Sequence, residues 1–398
     1  IVCTGAGRYE FTRDPRPNKA WIASIISNGV EIIGAGRDET TFAMLGGIVE
    51  RRDWRLLDVG GAGSRVADIH FDGSDRCADW IEGDPLCTGD QTHLVQVNGP
   101  ASDTILENLR VTLPPLAYGS SGGDCLRLIG RFDAWVENTI IRHVIGDDCD
   151  RSFIGLQRAV DGLLIEHVES VIVGDQAFDM EPTGETSFAG LPIVSNVVVR
   201  DSVFRRGPDA QGPWVSGING GGTSVVENLR IENTILEDGG IFLSDVRGVT
   251  LTGLHVRNRA TRPEPTVLAQ KRVERLLFVD TVLERTVGSA TGKVLRIQEH
   301  SDAAPTDVAI IGGAVVQGTS DTPISTIGLA GLTLLGTEVR YAGAGEAAVF
   351  GVVSSGSATA PAGIVTLVDV LLRGPLTGAV KMAGVSVGPP VLVRVTAE

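Results

Sequence analysis

The sequence of 398 residues is short of what metal sites and membrane spans need. It has five cysteines without a Cys-x-x-Cys pair and six histidines without a His-Glu-x-x-His motif, so we expect no zinc site. It has no run of 18 apolar residues, which predicts that the chain has no membrane span. The net charge of -15 repels phosphate backbones and predicts that nucleic acid is not a partner.

The cysteines leave one pairing open. Cys77 and Cys87 flank a short loop, where either a disulfide or two free thiols would fit. The chain begins with Ile1 rather than methionine, so we expect a product trimmed from a longer precursor, with any signal peptide removed.

A repeat runs through most of the sequence. "VENLRIENTIL" (226–236) has relatives such as "NVVVRDSVF" (196–204) and "LLFVDTVL" (276–283), in which alternating apolar residues are interrupted once by a small or amide-like residue. Alternation predicts a strand, and the interrupting residue types accept the left-handed backbone of a sharp corner. The interrupting residues are Gly34, Asn108, Asn138, His167, Asp201, Asn233, Gly253, Asp280, Gly312, Gly336 and Asp369.

A second strand precedes many of these copies, as in "DCLRLIG" (124–130) and "GIFLSD" (240–245), and no helical periodicity longer than a turn lies between them. The sequence therefore predicts one all-β domain over residues 1–398, a right-handed parallel β-helix solenoid of about a dozen coils. Residues 1–45 would form the first coils. Residues 301–398 have only 11 charged side chains, and these last coils are either the interface of a homotrimer or an undecorated solenoid end.

Three segments resemble a known superfamily. "GRYEF" (7–11), "GVEIIGAGRDETTF" (29–42) and "AFDMEP" (177–182) are similar to segments of the right-handed β-helix, pectate-lyase-like superfamily. That superfamily contains many secreted polysaccharide-degrading enzymes and phage tailspike proteins. The resemblance implies an extracellular protein, secreted or on a virion or cell surface, with a polysaccharide as its partner.

Acidic residues mark a candidate site. In "AFDMEP" we expect Phe178 and Met180 to point inward, which leaves Asp179 and Glu181 outward and about 6.6 Å apart. This spacing suits two carboxylates on either side of a sugar bond, although two solvated surface acids would look the same.

Stacking of coils extends this acidic patch. Asp148 lies 27 residues before Asp175 and 31 before Asp179, which is close to one repeat. Crowded carboxylates raise one another's pKa values and provide a proton donor or a cation site, and Arg127 and Arg151 would offset part of the charge. The predicted patch consists of Asp124, Asp147, Asp148, Asp150, Asp175, Asp179 and Glu181.

"NTIIRHVIGDDC" (138–149) resembles the polygalacturonase family of glycoside hydrolases. The resemblance places Asn138 at a corner before Gly-Asp-Asp-Cys. It implies that Asp147 and Asp148, with Asp124 from the preceding coil, protonate the glycosidic oxygen and activate water. The chain departs from the family in two places: "GDQAFD" (174–179) replaces a Gly-His-Gly, and "LRIQ" with Arg296 is only similar to the Arg-Ile-Lys.

Three functions remain open from the sequence. The first is a cofactor-free hydrolase with Asp148 and either Asp179 or Glu181 as acid and base, and with Trp214 as a platform for a sugar ring. The second is a lyase, in which the acids hold calcium while Arg127 or Arg151 abstracts a proton. The third is a non-catalytic adhesin or tailspike shaft, in which the aspartates are corner residues. We expect Trp135 to pack in the wall of the solenoid.

Overall fold

The computed structural model describes most of the chain and contains only strands there. The described residues are 1–12, 21–45, 54–76, 92–114, 123–180, 191–207, 212–221, 224–259, 263–286, 292–300, 304–328, 331–343, 350–357, 362–384 and 388–398. No helix occurs within these ranges, and the paired strands run parallel. The prediction of an all-β parallel β-helix is confirmed.

The chain divides into two compact units, and the first comprises Ile1–Phe188 and Ile193–Gly212. Its strands are β1 (Val2–Cys3), β2 (Gly7–Thr12), β3 (Trp21–Ile25), β4 (Glu31–Ile33), β5 (Thr40–Leu45), β6 (Arg55–Ala62), β7 (Arg65–Ala67), β8 (His70–Asp72), β9 (His93–Ser102), β10 (Ile105–Glu107), β11 (Arg110–Leu113), β12 (Asp124–Ile129), β13 (Val136–Arg142), β14 (Ile145–Cys149), β15 (Ser152–Leu156), β16 (Val160–Glu166), β17 (Glu169–Val173), β18 (Gln176–Met180), β19 (Pro192–Arg200) and β20 (Val203–Arg205).

The second unit comprises Ala189–Pro192 and Pro213–Glu398. Its strands are β21 (Trp214–Asn219), β22 (Val225–Glu232), β23 (Ile235–Glu237), β24 (Gly240–Thr252), β25 (His255–Asn258), β26 (Val267–Val279), β27 (Val282–Arg285), β28 (Leu295–Gln298), β29 (Thr306–Ile311), β30 (Ala314–Gln317), β31 (Ile324–Ile327), β32 (Gly331–Leu335), β33 (Glu338–Tyr341), β34 (Phe350–Ser355), β35 (Ile364–Val368), β36 (Leu371–Arg373), β37 (Gly378–Ala383), β38 (Val391–Val393) and β39 (Thr396–Ala397).

Each coil of the first unit presents three faces. A strand of one face pairs with the strand at the same place in the next coil, as β12 does with β15 and β15 with β18. Apolar side chains such as Leu126, Ile154 and Phe178 therefore stack inside the solenoid, where they are buried. Face 1 contains β3, β6, β9, β12, β15 and β18; face 2 contains β1, β4, β7, β10, β13, β16 and β19; face 3 contains β2, β5, β8, β11, β14, β17 and β20.

Residues with a left-handed backbone conformation turn the chain from face 2 to face 3. Asn108, His167 and Asp201 have φ values of 49°, 52° and 50°, as the repeat predicted. Asn138 also has a positive φ of 50°, but it lies inside β13 on face 2. The corner of that coil is His143, with a φ of 54°, so the assignment of Asn138 to this corner was wrong. Asn138 and His143 of that coil are both polar and both have a positive φ, and the sequence pattern selected Asn138, the earlier of the two.

A row of alternating charges crosses face 2 of the first unit. Glu107, Arg142, Glu166 and Arg200 follow one another in register. Glu31 and Arg65 are in register with each other on a line two residues earlier, and Arg65 reaches Glu107 from there. Arg65 Nε lies 2.6 Å from one carboxylate oxygen of Glu107, and Arg142 Nε lies 2.7 Å from the other. Two arginines thus hold Glu107, and although its burial favours the neutral form, they lower the pKa of its carboxyl.

The charge-poor last coils expose apolar side chains on the corresponding face of the second unit. Ile311, Leu335 and Val393 are each about 40% exposed and belong to one line of register through Val368. Their exposure is compatible with the predicted homotrimer interface, which stays a prediction.

Candidate active site

Face 1 of the first unit carries polar side chains that are buried outside the apolar core. On β9 and β12 the apolar residues Val95, Val97, Leu126 and Leu128 fill the core, and polar residues take other positions of the same strands. Buried polar groups cost free energy unless they are paired. This polar row consists of Asp58, His93, Gln96, Asp124, Arg127, Ser152 and Asp179, none of which is more than 8% exposed.

A glycine creates space in the middle of the row. Arg127 is in register with Gly155, and Gly155 is in register with Asp179. The carboxylate of Asp124 reaches over Gly155: a Cβ on that glycine would lie 2.8 Å from Asp124 Oδ2. Any side chain at position 155 would therefore displace the carboxylate, and only glycine permits this arrangement.

Asp124 is fully buried in an ion pair with Arg151. Arg151 Nε donates to Oδ1 and Nη2 donates to Oδ2, each over 2.9 Å. Burial favours the neutral carboxyl, but the charge of Arg151 and a hydrogen bond from His93 outweigh it and hold the pKa of Asp124 well below its ordinary value. Asp124 is therefore a permanent carboxylate that fixes the guanidinium of Arg151.

His93 connects Asp124 to Arg127. Its Nδ1 lies 3.4 Å from Asp124 Oδ2, and its Nε2 contacts Nη1 of Arg127. The backbone nitrogen of Asp124 also donates a hydrogen bond to Nδ1 over 3.0 Å, which anchors the ring between Asp124 and Arg127. Arg127 also donates to Gln157. The two arginines of the site are thus held in place by fixed partners.

Asp175 lies just before β18 and close to the same arginine. Its backbone nitrogen donates to the carbonyl of Arg151 over 3.0 Å. A Cβ on Gly212 would lie 2.6 Å from Asp175 Oδ1, so the carboxyl is packed against the backbone there. Burial raises the pKa of Asp175, Arg206 and Arg151 offset only part of this, and the charge of Asp124 adds to the increase. Two carboxyls near one arginine therefore have opposite pKa shifts.

The predicted orientation in "AFDMEP" is confirmed in part. Phe178 and Met180 are buried in the core. Asp179 lies on the outer side of β18 but is only 5% exposed, so it is not a solvated surface acid. Glu181 lies outside the described residues.

Asp147 and Asp148 lie on β14 of face 3 and not in the polar row of face 1. Asp148 is in register with Ile172, 24 residues later, rather than with Asp175 or Asp179. This coil is shorter than the average repeat, which is why the spacing predicted the wrong neighbours. The carboxylate of Asp147 forms an ion pair with Arg110, with an Nε–Oδ2 distance of 2.9 Å.

The remaining acids of this segment have partners of their own. Burial raises the pKa of Asp148; the charge of Arg76 lowers it in part, and the charge of Asp147 raises it further. Asp150 is buried with its Oδ2 3.6 Å from Nη2 of Arg76. The structure thus separates the predicted patch into Asp124, Asp175 and Asp179 on the face 1 side and Asp147 and Asp148 on face 3.

A disulfide joins β12, which carries Asp124, to β14, which carries Asp147 and Asp148. Cys125 directly follows Asp124, and it is bonded to Cys149, 24 residues later. Cys149 precedes the segment that contains Arg151, so the bond fixes both members of the buried ion pair. The pairing that the sequence left open, Cys77 with Cys87, lies outside the described residues, and Cys3 is a free, exposed thiol.

Replacing both Cys125 and Cys149 with serine is expected to lower the free energy of unfolding by about 3 kcal/mol. The reason is that the bond, whose cysteines are 24 residues apart, closes a loop in the unfolded chain. Urea unfolding followed by circular dichroism measures this change. Cys3→Ser is the control, and it should unfold like the unaltered protein. An unchanged midpoint in the double variant would show that the bond does not stabilise the fold.

The other predicted binding residues lie in the second unit. The ring of Trp214 packs on Phe242, with centroids 5.7 Å apart. Arg296 lies on β28 in register with Leu268 and Ser325. Their roles in substrate binding stay predictions.

Residues of β6 and β9 were missed by the sequence interpretation. Gln96 donates to Asp58 over 3.0 Å and accepts from Arg55 over 3.0 Å. "HLVQV" (93–97) places two polar residues in an apolar strand, and this pattern was a usable signal. The contact between His93 and Asp124 joins residues of different coils, so no local sequence pattern indicates it.

Comparisons with known proteins identify the fold. No protein-family model and no curated protein matches the chain. Among solved structures, the A-module of the Azotobacter vinelandii mannuronan C-5 epimerase AlgE6 matches 100% of this chain over 90% of its own, with 12% identity and a TM-score of 0.59. The chain is a parallel β-helix protein.

Two further solved structures are similar to the chain. The catalytic domain of a GH87 alpha-1,3-glucanase variant, solved in complex with tetrasaccharides, has 10% identity and a TM-score of 0.52; the match covers 100% of this chain and 63% of that one. The Dettilon tailspike protein has 10% identity, a TM-score of 0.43, and coverage of 94% and 61%. At these identities the likeness is one of fold.

The described residues lack two features. They contain no helix of the length and apolarity that crossing a membrane requires. They also contain no group of three or more His, Cys, Asp or Glu side chains placed to hold a metal ion.

Proposed function

We propose that the protein is an extracellular enzyme that hydrolyses glycosidic bonds of a polysaccharide at face 1 of the first unit. The observation that carries this proposal is that Arg151 binds both carboxylate oxygens of Asp124 and accepts a backbone hydrogen bond from Asp175, which places two acids with opposite pKa shifts beside one arginine. Acids and bases of an active site are recognised by environments that separate their pKa values. The likeness of the fold to an epimerase and a glucanase that act on polysaccharides supports the substrate class.

Six residues at this face have a role in the proposal. Asp175, whose burial raises the pKa of its carboxyl and so favours the protonated form, donates a proton to the glycosidic oxygen as the bond to the sugar carbon breaks. Asp179 removes a proton from the attacking water, which completes the hydrolysis. Arg127 and Arg151 bind hydroxyl or carboxylate oxygens of the sugar, since their partners orient them. Asp124 and His93 position those arginines.

Asp148 is a second candidate for the proton donor. Burial raises its pKa as well, and the sequence interpretation assigned it this role. It differs from Asp175 in lying on face 3, beside Asp147 and Arg76. Parallel Asp→Asn variants at the two positions therefore distinguish the two sites.

The test is a degradation panel with the whole chain and defined polymers: polygalacturonate, polymannuronate, α-1,3-glucan and laminarin. We expect new reducing ends without absorbance from unsaturated products on at least one polymer. Unsaturated products that disappear with a calcium chelator would replace hydrolysis with the lyase. Binding without any new products would leave the adhesin or tailspike-like function.

A further inference from the structure

A cavity of about 380 Å³ lies in the first unit, apart from the polar row of face 1. It is lined by residues of β9 and of the segment after β12, among them Pro100, Ser102, Asp133, Trp135 and Glu137. β9 also carries Gln96 of the polar row, and from Gln96 to Pro100 the strand advances about 13 Å. An extended ligand is therefore needed to contact both places.

The wall that carries Trp135 is held by its backbone. Arg131 and Ala134 exchange two backbone hydrogen bonds of 2.8 and 3.0 Å, which close a tight turn. This turn packs directly on β9, because a Cβ on Gly99 would lie 1.9 Å from the carbonyl oxygen of Ala134. The cavity is thus formed before a ligand arrives, which lowers the cost of binding.

The indole of Trp135 is fixed in orientation. Its Nε1 donates to the carbonyl of Phe132 over 3.1 Å, and the side chain is half-buried at the edge of the cavity. An aromatic ring held by a hydrogen bond offers a rigid apolar surface at little entropic cost. The sequence interpretation placed Trp135 in the solenoid wall, where its ring also lines this cavity.

The polar groups around the ring are acidic or neutral. Asp133 and Glu137 are exposed, and within the described part of the chain neither forms an ion pair. Asn28 accepts a hydrogen bond from the backbone of Ala62 with its Oδ1, so its amide nitrogen is the group that it offers as a donor. No described lysine or arginine lines the cavity. Hydroxyl groups suit such a surface, and a carboxylate would be repelled by the two acids.

We propose that this cavity binds a hexose ring without a carboxylate, stacked on Trp135, as a remote binding site for the polysaccharide processed at face 1. Asp133 and Glu137 accept hydrogen bonds from the sugar hydroxyls, and Asn28 donates one. This inference rests on the proposed function, because it assumes that the ligand is a glycan. It adds that the bound part of the glycan is uncharged.

The test measures binding of four neutral tetrasaccharides, namely nigerotetraose, laminaritetraose, maltotetraose and cellotetraose, and of tetramannuronate as the charged comparator. Calorimetry with the whole chain gives the dissociation constants. Trp135→Ala is expected to weaken the best neutral ligand by about tenfold, as truncation of a central aromatic anchor does. Trp135→Phe should keep most of the affinity. Phe132→Ala is the matched control, since its exposed ring is on the same turn and its backbone carbonyl is retained.

The outcomes separate this inference from the proposed function. A wild-type protein that degrades a polymer, while Trp135→Ala binds every tetrasaccharide as tightly as the wild type, overturns the remote site alone. A loss of tetramannuronate affinity in Trp135→Ala as large as the loss for the best neutral ligand overturns it as well, because the charged ligand would then occupy the cavity. No degradation and no binding by the wild type overturn both. Loss of affinity in Trp135→Ala but not in Phe132→Ala supports the site.

Discussion

Asp175→Asn is expected to lower kcat by about 10²- to 10⁴-fold, the usual contribution of a general acid. The amide has the shape of the carboxyl but cannot give up a proton, so KM should change little. Initial rates on the polymer that the degradation panel selects, measured over a range of concentrations, separate the two constants. Circular dichroism of the variant checks that the fold is retained.

The pH dependence gives a second readout of the same residue. Burial raises the pKa of Asp175, so the protonated donor persists to higher pH than an ordinary aspartate would allow. Activity of the wild type should fall as the pH rises through that pKa, because the donor loses its proton. Asp175→Asn should lack this part of the profile.

Asp148→Asn is the matched variant, because burial raises the pKa of that carboxyl too. We expect its activity to stay within about twofold of the wild type. If Asp148→Asn loses turnover while Asp175→Asn keeps it, Asp148 is the donor and the role of Asp175 is wrong.

Arg151→Met is expected to lower the free energy of unfolding by about 3–5 kcal/mol, because it leaves the carboxylate of Asp124 buried without its partner. Asp124→Asn removes the charge itself and should cost less. The double variant should recover part of the loss, since neither charge is then left alone. Urea unfolding of the four proteins measures the coupling between the two residues.

A surface ion pair provides the control for this cycle. Asp147 and Arg110 are about one third exposed, and removing Asp147 should change the stability by less than about 1 kcal/mol. Equal effects of Asp147→Asn and Arg151→Met would contradict the importance assigned to the buried pair.

The free energy of unfolding should decrease as the pH falls through the acidic range. The pKa of Asp124 in the folded protein lies below the ordinary value of 3.8. Its carboxylate therefore stabilises the fold at pH values above 3.8, and this contribution is lost as the pH falls toward the folded-state pKa. Asp124→Asn should unfold with a weaker dependence on pH in that acidic range.

The fold was predictable because its signal is local and repeated. Corner residues such as Asn233 and Asp280 need only tolerate a positive φ, and short alternating runs next to them mark strands. Many copies of one weak pattern identify a solenoid even where a single copy, as at Asn138, is placed at the wrong turn.

The site was predictable only in its residue types. Asp124, Asp175 and Asp179 lie on the face 1 side of the solenoid, but Asp148 was grouped with them because an average repeat length replaced the true coil of 24 residues. A shift of a few residues moves a side chain to another face of the solenoid. His93 and the bond between Cys125 and Cys149 depend on contacts between distant segments, which one sequence does not show.

The register line from Glu107 to Arg200 on face 2 restricts how many coils this part of the first unit can lose or gain. Glutamate and arginine alternate there from one strand to the next, through Arg142 and Glu166. Removing one internal coil would place two glutamates or two arginines next to each other, which is unfavourable between adjacent strands. Removing two successive coils would restore the alternation. Lengthening or shortening this solenoid by whole coils is therefore expected to succeed in even steps and to fail in odd ones.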